Sequence, residues 1–228
     1  MTAPRNPWVQ TGSGIAFDLL EPTPEMVNFE VDIAESLARI ARFNGHIRSG
    51  AYSVAQHSVM GADALFRETG DPRLAAAFLL HDAHEAYIGD MPTPVKWALM
   101  GVARALYAGA GYVTMDSAAR DMKAALKSLT EAIDRCITGA AGLSPLLPSE
   151  RDIIKTMDLR MLATERAHLM VAPPHPWHPD VETARPLRLP HNFTVWTWPK
   201  AADEFKARCK RWLPRFHSPS LRRPRSAA

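Results

Sequence analysis

Imidazole and carboxylate side chains follow one another in the segment His81-Asp82-Ala83-His84-Glu85, directly after the apolar residues 75–80. The apolar run predicts a buried helix, and burying charged groups is costly unless they are paired or bind a metal. Adjacent residues of a helix point about 100° apart, so His81 and Asp82 can reach one ion only if it lies deep between packed helices. Glu85, one helical turn after His81, would face the same point.

Two further residues complete a candidate metal site. His57 shares a predicted helix face with small and apolar residues, and Asp158 lies in a stripe with Ile154 and Leu162 at i, i+4, i+8 spacing. Two imidazoles and two carboxylates from three helices suit one divalent transition-metal ion, with positions left for water and a phosphate oxygen. Taken singly, His57 also fits an ordinary buried histidine, and Asp158 fits an ion pair with a nearby arginine.

Other charged residues surround these four. Glu85 is placed to move a proton as general base or acid, and Asp90 and Lys96 are placed to orient a substrate and its phosphate. Glu165, seven residues after Asp158 and on the same helix face, is interpreted as part of a structural ion pair. The remaining histidines near these motifs are interpreted as surface residues: His84, His175 and His178.

The bulk properties of the chain limit its class. Its 228 residues suit one domain with a sizeable core. Cys136 and Cys209 lie outside any CxxC pattern, which favours a reducing cytoplasm. No secretory signal and no run of roughly 20 apolar residues is found, so no membrane partner is expected. From Lys200 onward nine Lys or Arg oppose two acidic residues. Residues 214–228 are therefore predicted to be a basic disordered tail, although such a tail can also contact nucleic acid or an acidic partner.

Local signals in the first half of the chain predict a hairpin followed by four helices. The hairpin covers residues 8–20, around a turn with two glycines. Capping and helix-ending residues then mark the helices. The first helix is opened by Asp32 and Glu35 and ended by Asn44-Gly45, and the second runs from Ser53 to about Glu68 and is closed by Gly70. The third begins at Asp71-Pro72 and carries the motif to Gly89. The fourth is opened by Thr93-Pro94 and has Lys96 in its first turn.

The second half of the chain is predicted to be mostly helical as well. A flexible joint at residues 109–111 precedes a helical stripe that fits core packing or an oligomer face: Met122, Leu126, Leu129, Ile133 and Ile137. Ser149 with Asp152 opens a helix, residues 173–190 are irregular, and residues 199–213 form the last helix. Residues 192–198 alternate like a strand that could pair with the hairpin. We therefore expect an all-α domain over residues 1–213, with a helical core at about 30–170 and a small sheet made from its two ends.

The order His57, then His81-Asp82, then Asp158 resembles the H…HD…D signature of the HD-domain metal-dependent phosphohydrolases. The segment from His81 to Lys96 is more closely similar to the branch of bacterial 5′-deoxynucleotidases and phage dATP triphosphohydrolases. In that branch an Arg-Trp pair precedes the first metal histidine; here Arg42-Phe43 occupies that place, fourteen residues before His57 when counted from Phe43. The resemblance covers about residues 33–169, and the hairpin resembles that of small phage and prophage HD proteins.

This resemblance implies an all-helical HD fold and one divalent ion, whether Mn, Co, Zn, Fe or Mg. It implies four metal ligands, His57, His81, Asp82 and Asp158, with Glu85 as the catalytic carboxylate and Asp90 beside it. It also implies contacts from Arg42, Asp90 and Lys96 to the phosphate or sugar of a substrate. Phe43 replaces the tryptophan associated with checking for a missing 2′-hydroxyl, and Gln56 replaces the glutamate usual before the first histidine.

The leading hypothesis is a cytoplasmic phosphohydrolase that acts on nucleotides, with deoxynucleotides as the expected substrates. Cleavage of a 5′-monophosphate would give nucleoside and phosphate, and cleavage of a triphosphate such as dATP would give nucleoside and triphosphate. One alternative is a hydrolase of guanosine tetraphosphate-type alarmones. Another is a non-catalytic nucleotide-sensing or nucleic-acid-binding module. The four ligands and Glu85 are all present, which favours an enzyme and a small-molecule substrate over nucleic acid; a homo-oligomer stays open.

Overall fold

The structure, a computed structural model, describes residues 6–106, 115–190 and 192–216. The predicted joint at residues 109–111 and most of the predicted basic tail, from residue 217 onward, lie outside the described residues. The described elements are, in chain order, strands β1 (Trp8–Gln10) and β2 (Ala16–Asp18) and helices α1 (Ala34–Arg39), α2 (Val54–Thr69), α3 (Pro72–Leu79), α4 (Glu85–Ile88), α5 (Thr93–Leu106), α6 (Met115–Ala141), α7 (Pro148–Leu169), α8 (Pro179–Thr183) and α9 (Trp198–Trp212).

The molecule is mostly helical with one small sheet, as the sequence predicts. Strands β1 and β2 pair antiparallel, with Val9 opposite Phe17. The Phe17 side chain is fully buried and stacks on the ring of Tyr87 in α4, with ring centroids 3.6 Å apart. The hairpin therefore packs directly behind the segment that carries His81 and Asp82.

The prediction that a C-terminal strand joins this sheet is wrong. Residues 192–197 form no ladder with β1 or β2, and the sheet has two strands in the part of the chain that the structure describes. Instead, the Gln56 side chain donates to the carbonyl of Thr194 at 2.7 Å and accepts from the backbone N–H of Trp196 at 2.8 Å. The alternating pattern predicted that this extended segment would pair with a strand. Its backbone hydrogen bonds are made instead with a side-chain amide on α2.

Some predicted helix ends are confirmed and others are wrong. Helix α2 begins after Ser53, whose hydroxyl accepts from the Gln56 N–H, and ends at Gly70, whose φ of 68° suits glycine. Asp32 does not cap a helix; it accepts from the backbone N–H and hydroxyl of Ser13 at 2.7 and 2.6 Å and ties down the hairpin turn. The cap of the π-helical turn Phe29–Ile33, just before α1, is Asn28.

The first and seventh helices also differ from the predictions at their ends. Helix α1 ends at Arg39, and Arg42–Gly45 forms a separate 3-10 turn rather than the end of one helix. At α7 the Glu150 carboxylate, rather than the predicted Ser149 and Asp152 pair, accepts from the backbone N–H of Leu147 at 2.6 Å.

The core lies between α2 and the helices packed around it. Helix α9 packs against α1, α2 and α3, and its Phe205 is fully buried. Helices α2 and α3 approach closely because Gly61 has no side chain; a methyl group there would overlap the ring of Phe78. On α6 the predicted stripe enters the core only in its C-terminal half, where Ile133 and Ile137 are buried. Across the described ranges, none of the helices combines the length and apolar character needed for a membrane crossing.

Candidate metal centre

His81 and Asp82 lie on a turn between two helices, rather than inside the single helix predicted. Helix α3 ends at Leu79, because Leu80 has φ −100° and ψ 2°, and α4 begins only at Glu85. The turn lets two adjacent residues point the same way, which a continuous helix does not allow. The Nε2 atom of His81 lies 3.2 Å from an Asp82 carboxylate oxygen.

The four predicted ligands come together from three parts of the chain. Asp158 on α7 approaches His57 on α2 at 3.3 Å and His81 at 3.7 Å. The Nε2 atoms of the two histidines are 3.4 Å apart, and His57 Nε2 lies 3.8 Å from Asp82. Ligand atoms of His57, His81 and Asp158 all lie within 4.8 Å of one another. This convergence of two imidazoles and two carboxylates is of the kind that holds a divalent transition metal.

Hydrogen bonds behind the two histidines fix the direction of their rings. The Nδ1 atom of His57 donates to Glu165 at 2.5 Å, and that of His81 donates to the carbonyl of Phe78 at 2.6 Å. Both Nε2 atoms thereby face the cluster, and in the neutral imidazoles they present their lone pairs to it. Metal-bound histidines typically have such partners on the opposite nitrogen.

Glu165 makes hydrogen bonds in addition to the ion pair predicted for it. Its side chain is fully buried, accepts from the Tyr52 hydroxyl at 2.7 Å, and pairs with Arg42 at 3.3 Å. The predicted ion pair therefore exists, with Arg42, but the bond to His57 was not anticipated. The only sequence signal for it was its helix face, shared with Asp158.

Arg42 connects this carboxylate to the cluster. Its guanidinium lies 3.3 Å from Asp82 as well as 3.3 Å from Glu165, and its side chain is 11% exposed. Its Nε atom is buried and has no hydrogen-bond partner among the described residues. Arg42 thus lies against the cluster as a nearly buried cation, paired with one carboxylate of the cluster and one behind it.

The charges in the cluster stabilise one another strongly. Burial opposes ionisation, but hydrogen bonds from His57 and His81 hold the pKa of Asp158 well below its usual range. Burial likewise opposes protonation of His81, yet the neighbouring Asp82 raises the pKa of that imidazole well above its usual value. A divalent cation would supply the positive charge that these carboxylates otherwise draw from protonated histidines.

Glu85, Asp90 and Lys96 lie in the same electrostatic neighbourhood. Burial, together with the charges of Asp82 and Asp90, raises the pKa of Glu85 to about 9. One carboxylate oxygen of Glu85 is buried without a hydrogen-bond partner among the described residues. Burial also raises the pKa of Asp90, and Arg42 and Lys96 oppose that shift. Lys96 lies half-buried in the first turn of α5, as predicted.

An aromatic wall stands beside the cluster. Phe43 has a left-handed backbone with φ 57°, an uncommon conformation for a bulky residue that is often found at functional sites. Its ring lies 5.7 Å from the Arg42 guanidinium and 6.3 Å from the ring of Trp177. The next residue, His178, lies 5.9 Å from the ring of Trp97 on α5. Two consecutive residues of the proline-rich segment thus join the Arg42–Gly45 turn to α5.

The three histidines predicted to lie on the surface divide into two groups. His175 and His178 are exposed, as predicted. His84 is not a surface residue: its side chain is 15% exposed and its Nδ1 atom pairs with Asp134 on α6 at 2.9 Å. The turn after α3 rotates His84 toward α6, which the predicted continuous helix did not anticipate.

Comparison with known proteins identifies relatives but no activity. No family model matches the chain. It is 39% identical over 151 residues to the uncharacterized protein RCAP_rcc00048 of Rhodobacter capsulatus, an alignment that covers 63% of this chain and 72% of that protein. It is 33% identical over 159 residues to the uncharacterized protein YfdR of Escherichia coli K12, covering 70% of this chain and 69% of that protein.

Proposed function

We propose that this chain, which belongs to the same protein family as RCAP_rcc00048 and YfdR, is an HD-type metal-dependent phosphohydrolase that acts on nucleotides. The observation that carries the proposal is the convergence of His57, His81, Asp82 and Asp158. The sequence order of these residues resembles the HD signature.

The donor set fits one divalent ion. Two neutral imidazole nitrogens and two carboxylates suit Mn, Fe, Co or Zn, and a carboxylate-rich site also accepts Mg. The bonds from His57 to Glu165 and from His81 to Phe78 turn both Nε2 atoms inward, as metal binding requires. When bound, such an ion supplies a Lewis acid for a phosphoryl oxygen and lowers the pKa of water.

Arg42 binds the phosphate in this proposal. It is nearly buried beside Asp82, and its guanidinium group supplies a fixed positive charge there for a phosphoryl oxygen. Lys96 adds a second positive charge at the start of α5. Its influence on the pKa of Asp90 indicates that the two side chains are near one another.

Glu85 moves the proton. Its raised pKa keeps the carboxyl group protonated near neutral pH, which suits a general acid that gives its proton to the leaving oxygen. Asp90 lies close enough to raise the pKa of Glu85 further and is proposed to orient the substrate beside it.

The aromatic wall favours a nucleotide over a simple phosphate ester. Phe43 and Trp177 offer ring faces next to Arg42, and bases stack readily on such faces. In the related branch the residue at the position of Phe43 is associated with rejecting a 2′-hydroxyl, so deoxynucleotides are the proposed substrates.

The proposal puts the chain in the reducing cytoplasm, since Cys136 and Cys209 are both free and buried.

The test is phosphate release from a panel of nucleoside and deoxynucleoside mono- and triphosphates. We expect chelation to abolish turnover and Mn²⁺, Co²⁺ or a similar ion to restore it, with product analysis separating phosphate from triphosphate release. Asp82→Ala should lose bound metal and activity together, while Asp152→Ala, at an exposed position of α7, should keep both. Full turnover in a verified metal-free preparation would refute the proposal.

A further inference from the structure

A second concave site lies away from the candidate metal centre and is lined mainly by arginines. Its volume is about 430 Å³, within the usual range of small-molecule sites. Four arginines line it together with Glu68, the buried residues Ala64 and Leu187 and the exposed Pro186: Arg67, Arg160, Arg185 and Arg188.

The positive charge of this cavity is poorly balanced. Glu68 is the acidic residue among its lining residues, and Arg160 already holds it with two hydrogen bonds of 2.7 and 2.9 Å. Within the residues that the structure describes, Arg67, Arg185 and Arg188 form no ion pair. Guanidinium groups keep their charge at all physiological pH values, so the cavity carries a lasting excess of positive charge.

The segment that supplies two of the arginines is held in place. The N–H of Leu187 donates to the Thr164 hydroxyl at 2.8 Å, and both residues are buried. The Arg160 Nε donates to the carbonyl of Arg185 at 3.4 Å. These two bonds fix the backbone between Arg185 and Arg188 against α7, so the arginines project from an anchored segment.

The cavity uses the same two helices as the metal centre but different parts of them. Arg67 lies ten residues after His57 on α2, a distance of about 15 Å along the helix. Arg160 follows Asp158 by two residues on α7 and so points about 200° away from it around the axis. A ligand held by the arginines would therefore not touch the metal ligands.

We propose that this four-arginine cavity is a second binding site, which takes the polyphosphate chain of a free nucleoside di- or triphosphate. Guanidinium groups bind phosphate oxygens in pairs of parallel hydrogen bonds. Three arginines without ion pairs match the several negative charges of a di- or triphosphate better than the charge of a single orthophosphate. The anchored backbone, the buried residues Ala64 and Leu187 in the lining and the volume of about 430 Å³ distinguish the site from a flat basic surface. The site is independent of the reaction proposed for the metal centre.

The test uses inorganic tripolyphosphate as the probe, titrated calorimetrically into the full chain as purified and after EDTA treatment. The two preparations separate binding at the arginines from chelation of metal by the probe. The double variant R185A/R188A should bind the probe roughly tenfold or more weakly. Its matched control, R120A/K123A, removes the same charge from exposed positions of α6 and should bind normally, as should Asp82→Ala. Orthophosphate should bind much more weakly than tripolyphosphate.

Other results would overturn the proposal. Loss of probe binding in Asp82→Ala but not in R185A/R188A would place the phosphate at the metal centre. Loss of binding to a single-stranded oligonucleotide in R185A/R188A, with tripolyphosphate binding unchanged, would make the surface a nucleic-acid contact. If R185A/R188A does not fold, Arg67→Ala on α2 makes the same test without altering the anchored segment, and normal probe binding in that variant would refute the site.

Discussion

The carboxylate of Glu165 accepts a 2.5 Å hydrogen bond from Nδ1 of His57 at the base of the candidate metal centre. Burial opposes its charge, but Arg42 and His57 hold the pKa of Glu165 below its usual value. A charged acceptor at this place makes Nε2 of His57 a stronger donor to a metal and prevents the ring from turning. Glu165 thus positions a candidate metal ligand.

Glu165→Gln should weaken metal binding without removing a ligand. The amide oxygen can still accept from His57 but lacks the negative charge, and loss of such a partner typically costs about 10–100-fold in metal affinity. Metal affinity measured by competition with a chromophoric chelator checks this. Asp152→Asn, at an exposed position on the same helix, is the control. An unchanged affinity in Glu165→Gln would show that the bond is structural only.

Glu85→Gln should separate catalysis from metal binding. Glu85 is buried beside the cluster but is not one of the four converging ligands. We expect metal content to stay stoichiometric while kcat falls roughly 10²–10⁴-fold, the range typical for a positioned acid or base. Metal analysis with steady-state kinetics checks both halves. A normal kcat would move the proton transfer to another group, with Asp90 the next candidate.

The same variant should stabilise the metal-free protein in a pH-dependent way. The folded chain keeps a proton on Glu85 up to about pH 9, whereas the ordinary pKa is 4.5. Folding therefore carries a cost that appears above pH 4.5 and grows as pH rises toward 9. Glu85→Gln removes it, a gain of about 3 kcal/mol at pH 7. Denaturant unfolding at pH 5 and pH 8 should show a larger gain at pH 8; an equal gain at both would contradict the raised pKa.

Gly61→Ala should disturb both stability and metal binding. The added methyl would overlap the Phe78 ring, and overpacking of this kind costs about 1–3 kcal/mol. Phe78 also supplies the carbonyl that orients His81, so its displacement should lower metal affinity. The control is Gly101→Ala on α5, where a methyl meets open space and should stabilise the helix slightly. Thermal unfolding and metal titration of both variants decide whether the two effects occur together.

The aromatic wall should govern sugar and base recognition. Phe43 lies beside Arg42, and an apolar steric check there is worth roughly 10–200-fold in kcat/KM for deoxy over ribo substrates. Phe43→Ala should narrow that ratio. Trp177→Ala should raise KM for nucleotides by the loss of about 1–3 kcal/mol of stacking, whereas Trp8→Ala should not. Equal rates on dAMP and AMP and on dATP and ATP in the unaltered chain would remove Phe43 from the sugar check.

Local sequence signals predicted the elements that depend on neighbouring residues. Ser53 and Gly70 bound α2, and Thr93-Pro94 begins α5, because caps and prolines act within one turn of the chain. The periodic spacing of Ile154, Asp158 and Leu162 likewise placed Asp158 toward His57.

Tertiary contacts decided what the sequence could not. The apolar run at residues 75–80 continues without a breaker, so the end of α3 at Leu79 has no local signal. The Gln56 side chain on α2 hydrogen-bonds the backbone of Thr194 and Trp196. An alternating sequence pattern does not show whether the backbone of a segment will bond to a strand or to a side chain. Glu165 and His57 lie 108 residues apart, and no local sequence signal predicts that a glutamate and a histidine so far apart form a hydrogen bond.

The pairing of Gln56 with Thr194 and Trp196 has a consequence for how the protein is made. These partners lie 138 and 140 residues beyond Gln56, and α9, which packs on α1, α2 and α3, comes later still. The ribosome releases the helix carrying His57 long before it releases the segments that hold that helix in place. The four candidate ligands can therefore take up their finished geometry only after residues 194–212 have been made. A ribosome stalled before residue 194 would leave a polypeptide that has all four candidate ligands but lacks the segments that hold α2 in place.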